Sequence, residues 1–273
     1  GELMLVRPSA GVWRRMGRLR PFLLPGGDAA SREPWRSAAS LLRHAGHDTL
    51  FSGLPWLRNP ELAALHPRLM EMWTRRVNCP ATSSCGRLFA LCGLCERMTY
   101  EGQAALRLEA VQDFSEDRAF SLPLREAKGW DGEAERTLLE PDVWAMFAEL
   151  AWALRGGLGA GRASRRFHRG LAVGLAAWAR AAADESGVET VALGGGVMNN
   201  ATLARELPEE LAALGLKPLL PRAFPAGDGA VSLGQAAWLV WRGQGRNGAA
   251  AAPAGSAELK PAPPDSAATP ELP

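Results

Sequence analysis

The pattern of hydrophobic and polar positions changes near residue 189, where long helical stripes give way to short apolar runs separated by helices. The pattern predicts strands over 189–193 and 216–220, helices over 199–214 and 228–242, and a loop over 221–227. Strands that alternate with helices are typical of parallel sheets, because a parallel pair needs a crossover connection. This part of the chain is therefore predicted to be α/β.

Upstream of this region, apolar residues recur at the spacing of helix faces. The longest predicted helix begins with Ser164 as its N-cap and is closed by Gly187. Its apolar stripe comprises Phe167, Leu171, Leu175, Trp178 and Ala182. The same criteria predict helices over 35–45, 60–75 and 142–154 and within 82–112, a strand over 1–6, and irregular structure over 113–140.

The chain divides by composition near residue 243. From Gly243 onward it is rich in Ala, Pro, Gly and Ser and carries few large apolar side chains. Such a segment cannot bury enough apolar surface to offset the entropy of ordering. We therefore expect one domain over 1–242 and a disordered tail over 243–273.

Charge and cysteine content narrow the possible partners and the compartment. The chain has 31 Lys and Arg against 29 Asp and Glu, a net charge of +2, so the balance requires neither nucleic acid nor an anionic membrane. We find no apolar run long enough to cross a membrane, and we expect no signal peptide. The few cysteines do not resemble a secreted disulfide scaffold. We expect a cytoplasmic protein with reduced thiols.

Glycines follow both strands of the predicted α/β region, immediately before the helices. Gly194–Gly196 end the first strand, and Gly227 and Gly229 flank Asp228 after the second. Ligands of open α/β sheets bind beyond the carboxyl ends of strands, where free N–H groups at a helix N-terminus favour an anion. Since side chains would keep a phosphate from the backbone, we interpret the two loops as the two sides of one nucleotide site. The structural alternatives are a tight turn for the glycines and a helix cap for Asp228.

Histidines offer a second kind of candidate chemistry. His168 lies near the start of the longest predicted helix, where a lone histidine is either catalytic or simply hydrogen-bonded. His44 and His47 share a helix face, but the sequence places no third metal ligand near them. His168 is therefore the stronger candidate.

The cysteines offer a third kind. Cys92 and Cys95 form a single C-x2-C pair, and a zinc site would need two further ligands. Cys79 and Cys85 are poorly spaced to supply them. We expect Cys92 and Cys95 to be structural and free of zinc.

Six motifs occur together and in order along the chain. They are LPGGDAASREPWR (24–36), SSCGRLF (83–89), YEGQAALRLEA (100–110), RFHRGLA (166–172), ALGGGVMNN (192–200) and DGAVSLGQA (228–236). Together they resemble the C-terminal part of the HypF family, the carbamoyltransferases of nickel–iron hydrogenase maturation. The resemblance extends over residues 1–242. The first motif is specific to the HypF type, and the last two are shared with the wider threonylcarbamoyl- and carbamoyl-transferase superfamily.

The resemblance implies both a fold and a reaction. The fold is of the actin, hexokinase and Hsp70 type, in which two RNase H-like lobes form one module. In the reaction, a carbamoyl group passes from carbamoyl-adenylate to the C-terminal cysteine of a HypE-like protein and later becomes the cyanide ligand of the hydrogenase iron. The implied partners are the HypE-like acceptor and an adenylate-forming domain of the parent chain, which makes carbamoyl-adenylate from carbamoyl phosphate and ATP.

The resemblance also assigns roles to residues of the predicted site. The nucleotide-facing positions match Gly194, Gly195 and Gly196, with Asn199 or Asn200 at the asparagine of the family. Asp228 matches an aspartate that helps to hold a divalent metal, either iron, zinc or magnesium, beside the phosphates of an adenine nucleotide. We expect the nucleotide pocket to lie between Gly194–Asn199 and Gly227–Gly229, with His168 near its edge as the candidate catalytic residue.

The sequence departs from the family pattern at two places. The histidine-rich metal motif and the D-G-T-G-type loop of the family precede the matched segment, so we expect part of the two-lobed module to be missing at the N-terminus. After GRLF, a short loss of residues removes an aspartate expected near the ribose, and it places Cys92 and Cys95 at apolar helix positions. Two alternative functions stay open: a non-catalytic docking module, and a carbamoyltransferase that modifies the hydroxyl of a small molecule.

Overall fold

The computed structural model of the chain describes residues 1–7, 12–51, 59–91 and 97–246. It contains two compact units, Gly1–Gly229 and Ala230–Pro273. The first unit holds both predicted glycine loops and the hydrophobic core. The pair Cys92 and Cys95 lies outside the described residues, so the prediction that it is free of zinc stays a prediction.

The N-terminal half of the first unit consists of short strands and helices. In chain order these are β1 (Glu2–Arg7), β2 (Val12–Arg18), β3 (Phe22–Leu23), α1 (Asp28–Arg32), α2 (Pro34–His44), α3 (Asp48–Phe51), α4 (Pro60–Arg75) and β4 (Ala81–Thr82), followed by the 3-10 helix Cys85–Leu91. β1 pairs with β2 and β3 with β4, both antiparallel. The apolar face of α2 is fully buried at Ala38, Leu41 and Leu42, so this helix forms one wall of the core.

The C-terminal half contains the longest helix and the parallel strands. In chain order its elements are α5 (Gln103–Ala110), β5 (Leu124–Trp130), β6 (Glu135–Pro141), α6 (Val143–Arg155), α7 (Ala160–Ser186), β7 (Thr190–Ala192), the 3-10 helix Gly196–Asn199, α8 (Ala201–Ala213), β8 (Lys217–Leu219) and the 3-10 helix Asp228–Ala230, which leads into α9 (Val231–Arg246). β5 and β6 pair antiparallel, whereas β7 and β8 pair parallel.

α7 is the central element of the core. Its predicted stripe is buried at Phe167, Leu171 and Trp178. Trp178 Nε1 also donates a hydrogen bond to the carbonyl oxygen of Leu139 at 2.9 Å, which joins the helix to β6. Burial of large apolar side chains along one helix stabilises the fold by about 1.5–3 kcal/mol for each. The core thus holds α7 in a fixed position from which it supports the candidate site.

The parallel pair confirms the α/β prediction for the C-terminal region. Val191 of β7 faces Pro218 of β8 in register, and α8 forms the crossover between them. Both strands lead at their carboxyl ends into the predicted loops. The fold class is therefore α/β, while the assignment to an RNase H-like lobe stays a prediction.

Two sequence expectations are wrong in detail, and one strand was not predicted. The region 113–140 is not irregular throughout, because it contains most of the β5–β6 hairpin. A second strand, β2, follows the predicted N-terminal one. α7 starts at Ala160 after Gly159, so Ser164 is not its N-cap. Instead, Ser164 lies inside the helix and its hydroxyl donates to the carbonyl oxygen of Leu108.

The second unit is described mainly by α9. This helix ends at Arg246, past the predicted domain boundary at 242. The remainder of the predicted tail, 247–273, lies outside the described residues, so its disorder stays a prediction. Over the part of the chain that the structure describes, no helix combines the length and the apolar character required to cross a membrane.

Candidate functional site

Two glycine-containing segments meet at the carboxyl ends of β7 and β8. We call Gly194–Asn199 the glycine turn and Ala226–Gly229 the second loop. Gly195 N donates a hydrogen bond to the carbonyl oxygen of Ala226 at 2.6 Å. A Cβ at Gly227 would lie 3.4 Å from Gly196 Cα, which shows how closely the two backbones approach. The structure therefore brings together the two loops that the sequence predicted as one site.

The backbone conformation of the turn requires glycine at one position but not at the other two. Gly195 has φ +96°, a conformation that side-chain-bearing residues rarely adopt. Gly196 has no such φ, and a Cβ there would meet no atom of the described chain within 4 Å. A Cβ at Gly194 would come no closer than 3.7 Å, to the carbonyl oxygen of Ala226. The fold thus requires glycine at 195, whereas it would accommodate a Cβ at Gly194 and at Gly196, whose backbones are exposed.

Two N–H groups at the N-terminus of α8 are paired with side chains of the protein, which corrects the expectation of free N–H groups there. Asn200 is the N-cap, and its Oδ1 accepts a hydrogen bond from Leu203 N at 2.9 Å. Glu109, at the end of α5, accepts from Thr202 N at 3.1 Å. These oxygens satisfy donors that an anion would otherwise use. At this edge, the surface open to a ligand is the glycine turn and not the helix end.

The two asparagines after the glycines have different environments. Asn199 is exposed on the last position of the turn, and a Cβ at Gly227 would lie 3.9 Å from its Nδ2. Asn200 is buried and serves as the cap of α8. Of the two candidates for the family's asparagine, Asn199 is therefore the one that faces the space between the loops.

His168 lies inside the core, beside the residue that follows the glycine turn, and its place at the edge of a pocket stays a prediction. Its side chain is fully buried in α7. Nδ1 lies 2.8 Å from the carbonyl oxygen of Ser164, and Nε2 lies 3.1 Å from Asn200 Nδ2. Burial is the main cause that lowers the pKa of His168 below its ordinary value, so the ring is neutral at neutral pH. Its catalytic role stays a prediction.

The second loop presents its carboxylate to solvent. Asp228 is exposed and begins the 3-10 helix Asp228–Ala230. Gly229 beside it is also exposed, and a Cβ there would make an ordinary contact of 3.5 Å with Pro225. Among the described residues, no three or more His, Cys, Asp or Glu side chains lie close enough together to hold a metal ion. Asp228 is thus accessible as a single oxygen ligand.

A third segment borders the glycine turn, and the sequence had not placed it in the site. A Cβ at Gly86 would lie 3.9 Å from Val197 Cγ2 in the turn. The neighbouring Arg87 donates from Nη2 to Ser31 Oγ at 2.7 Å and from Nη1 to the carbonyl oxygen of Ser31 at 3.3 Å. The motifs at 24–36, 83–89 and 192–200 therefore lie side by side. No local spacing in the sequence predicts this, because the motifs are far apart along the chain.

Two other candidate groups have structural roles. His44 Nε2 accepts a hydrogen bond from Leu23 N at 3.1 Å, and the ring stacks on Trp144 with centroids 4.3 Å apart. His47 contacts Trp152 edge to face at a centroid distance of 6.0 Å. Burial raises the pKa of Cys85 to about 11, so its thiol is protonated at neutral pH and is a poor nucleophile.

Comparison with known proteins places the chain among carbamoyltransferases. Residues 1–235 match the family model described as carbamoyltransferase, Kae1-like domain, second subdomain. The chain is 38% identical over 259 residues to carbamoyltransferase HypF2 of Cupriavidus necator, with 88% of this chain and 31% of that protein covered. It is 39% identical over 248 residues to a carbamoyltransferase HypF homolog of the same organism, with 89% of this chain and 60% of the homolog covered.

A solved structure has the same fold over most of the chain. Full-length HypF in its phosphate- and nucleotide-bound form superposes with a TM-score of 0.72 at 24% sequence identity, covering 88% of this chain and 30% of that one. The chain thus corresponds to less than a third of this HypF structure and of HypF2.

Proposed function

Since the chain belongs to the HypF carbamoyltransferase family, we propose that it takes part in carbamoyl transfer from carbamoyl-adenylate to the C-terminal cysteine of a HypE-like protein. In this proposal the glycine turn and the second loop bind the adenine nucleotide part of the donor. An adenylate-forming domain supplies the carbamoyl-adenylate, and the HypE-like protein is the acceptor.

The observation that carries the proposal is the close approach of the exposed glycine turn and the second loop at the ends of parallel strands. Because Gly194 and Gly196 have no side chains, the space in front of the turn stays open, although the fold would accommodate a Cβ at either position. Backbone groups without side chains let a phosphate come close, which is the usual arrangement at this edge of an α/β sheet. The HypF structure with the same fold is itself in a phosphate- and nucleotide-bound form.

Carbamoyl transfer depends more on the positioning of the carbamoyl-adenylate than on acid–base catalysis. The thiolate sulfur of the acceptor attacks the carbamoyl carbon, an S–C bond forms, and the C–O bond to the phosphate of AMP breaks. AMP leaves as a stable anion, so no general acid is needed at the leaving oxygen. Holding the anhydride in place and stabilising charge on its phosphate are the contributions that these loops can make. The acceptor supplies the thiolate.

Asp228 is proposed to face the phosphates through a divalent cation. A carboxylate beside bound phosphates is tolerable only with a positive charge between them. The exposed carboxylate fits one ligand of such a site, but within the described parts of the chain no group of three or more ligand side chains lies together. The described residues are therefore not a complete metal site, and we assign no step of the transfer to a metal.

Substitution of Gly196 by Ala tests the nucleotide proposal. Because a Cβ at Gly196 meets open space, Gly196→Ala leaves the fold intact but places a methyl group where the phosphate would approach. In calorimetric titration, we expect ATP to bind the 273-residue variant about tenfold more weakly than the parent chain. This corresponds to a loss of about 1.4 kcal/mol in the free energy of binding. The melting temperature should stay unchanged.

The matched control is Gly156→Ala, which lies at the end of α6 and meets only ordinary contacts of 3.4 and 3.5 Å. Its affinity for ATP should equal that of the parent. If Gly196→Ala binds ATP as tightly as the parent, the glycine turn does not contact a nucleotide. The mass of the C-terminal peptide of the acceptor, measured after incubation with carbamoyl phosphate and ATP, then tests the transfer itself.

A further inference from the structure

We infer that His168 is a positioning residue, which acts through Asn200 to hold the glycine turn in the arrangement described above. The inference rests on the proposed function, because it gives this turn a ligand to bind. His168 is fully buried, so it acts without touching the ligand.

The first step is the tautomer of the ring. Nδ1 lies 2.8 Å from the carbonyl oxygen of Ser164, which only accepts hydrogen bonds. Nδ1 therefore carries the proton, and Nε2 is an acceptor. At 3.1 Å from Nε2, Asn200 Nδ2 is the donor. The ring therefore fixes the orientation of the Asn200 carboxamide. Nδ2 faces Nε2, and the flipped orientation, which would place Oδ1 against this acceptor, is excluded.

The second step is what this orientation fixes. With Nδ2 facing the ring, Asn200 Oδ1 accepts from Leu203 N at 2.9 Å and caps α8. The backbone of the same residue closes the turn, because Asn200 N donates to the carbonyl oxygen of Val197 at 3.0 Å. Met198 N in turn donates to the carbonyl oxygen of Gly195 at 3.0 Å. These hydrogen bonds, joined by the backbone between Gly195 and Asn200, therefore connect the ring to the glycines.

The third step is the connection to the second loop. Gly195 N donates to the carbonyl oxygen of Ala226, so the turn and the second loop are joined at the residue whose φ is already unusual. Removing the acceptor at Nε2 leaves a buried amide N–H without its partner, which is unfavourable unless Asn200 reorients. Reorientation would release the cap of α8 directly, and with it the support of the residue whose backbone N–H closes the turn.

Ser164 provides a matched control for a role in packing alone. Its hydroxyl is fully buried in the same cluster and donates to the carbonyl oxygen of Leu108. Ser164→Ala removes that bond and the longer 3.4 Å contact of the hydroxyl with His168 Nδ1, but it keeps the backbone carbonyl that orients the ring. We expect Ser164→Ala to lower stability without a change at Asn200, whereas His168→Leu removes the acceptor that Asn200 needs. His168→Gln retains an acceptor oxygen and should be intermediate.

The experiment compares full-length parent, His168→Leu, His168→Gln and Ser164→Ala by amide hydrogen exchange and by ATP titration. In His168→Leu we expect faster exchange at Met198 and Leu203 and about tenfold weaker ATP binding. In Ser164→Ala we expect parental exchange at these amides and parental affinity. Equal exchange at Met198 and Leu203 in His168→Leu and Ser164→Ala would overturn the inference.

The two arms separate the inference from the proposed function. Hydrogen exchange needs no nucleotide, so it decides the role of His168 even if the parent fails to bind ATP. Absence of ATP binding by the parent overturns only the proposed function. If His168→Leu does not fold, His168→Phe, which also lacks an acceptor but keeps a ring, decides: parental exchange at Leu203 together with a lowered melting temperature would assign His168 to packing alone.

Discussion

At the scale of single residues, His44 shows how a polar side chain is held neutral inside this fold. The ring stacks on Trp144, meets Trp73 edge to face at 4.9 Å, and accepts the N–H of Leu23. Burial first, and then the charges of Arg76 and Arg20, lower its pKa to about 3. The ring therefore acts as an acceptor and a stacking surface, and a metal role would have to displace these contacts.

The lowered pKa of His44 predicts how stability depends on pH. In the unfolded chain the histidine titrates near its ordinary value of 6.5, and in the folded chain near about 3. Between these values the unfolded state binds more protons, so the free energy of unfolding falls as the pH is lowered. The contribution of His44 is at most about 1.4 kcal/mol per pH unit.

Urea unfolding of the parent and of His44→Gln at steps between pH 6.5 and pH 4 measures this contribution. The variant keeps an acceptor but does not titrate, so its stability should fall less steeply than that of the parent. Carboxylates affect both proteins alike and cancel in the comparison. Parallel curves for parent and variant would assign the pH dependence to other groups.

The sequence predicted the glycine loops at this scale but not the separate tasks of their residues. It could not tell Gly195, which the backbone conformation requires, from Gly196, which faces open space. Nor could it distinguish exposed Asn199 from the buried cap Asn200. Each distinction depends on φ or on burial, which follow from packing. The contact of Glu109 is harder still to predict, because its carboxylate accepts a hydrogen bond from the N–H of Thr202, which is 93 positions away along the chain.

At the scale of elements, α7 accommodates its neighbours through glycines. A Cβ at Gly170 would lie 2.3 Å from the carbonyl oxygen of Phe120, and one at Gly174 would lie 2.5 Å from Leu122 Cβ. The segment before β5 therefore runs directly against the helix. Phe120 N donates to the carbonyl oxygen of Arg166 at 3.1 Å, which fixes this approach. These glycines reduce helix propensity but permit close packing.

Gly170→Ala should destabilise the fold, although alanine favours helices. The added methyl group has no room between the helix and the Phe120 backbone, so either must move. We expect a loss of about 1–3 kcal/mol in the free energy of unfolding, measured by urea titration. Gly156→Ala, which makes only ordinary contacts, should change it by less than about 0.5 kcal/mol. A stabilised Gly170→Ala would mean that the segment does not pack on α7.

Elements with strong local signals were predictable from the sequence. α4 begins after Asn59, whose side chain accepts from Glu61 N, and α7 ends at Gly187 with φ +70°, as the capping residues indicated. The β5–β6 hairpin was missed because its strands carry charged residues on the exposed face and few apolar ones between them. The start of α7 was missed because Gly159 has no side chain to cap it.

At the scale of the whole molecule, the motif resemblance is confirmed at the level of the family and of the fold. It was the most informative part of the sequence, because six motifs in order are far more specific than any single glycine loop. The structure adds the spatial grouping of three of those motifs around the glycine turn. Long-range neighbours such as Ser31 and Arg87 carry no signal in one sequence, since only the folded chain brings them together.

The hydrophobic core also defines which part of the chain determines its stability. The buried cluster extends from Leu19 to Leu216, and the partly buried residues packed on it end at Ala226. Every residue of this cluster therefore lies within Gly1–Gly229. Stability follows buried apolar area, so these residues should be sufficient for a cooperative fold.

A chain that ends at Gly229 keeps every residue of this buried cluster, so it should unfold in one cooperative transition in calorimetry. A chain that ends at Leu214 is the matched control, because it removes β8 and the buried Leu216, and it should lose cooperative unfolding. Absence of a cooperative transition on ending at Gly229 would contradict the prediction, since it would mean that the buried cluster does not sustain the fold by itself.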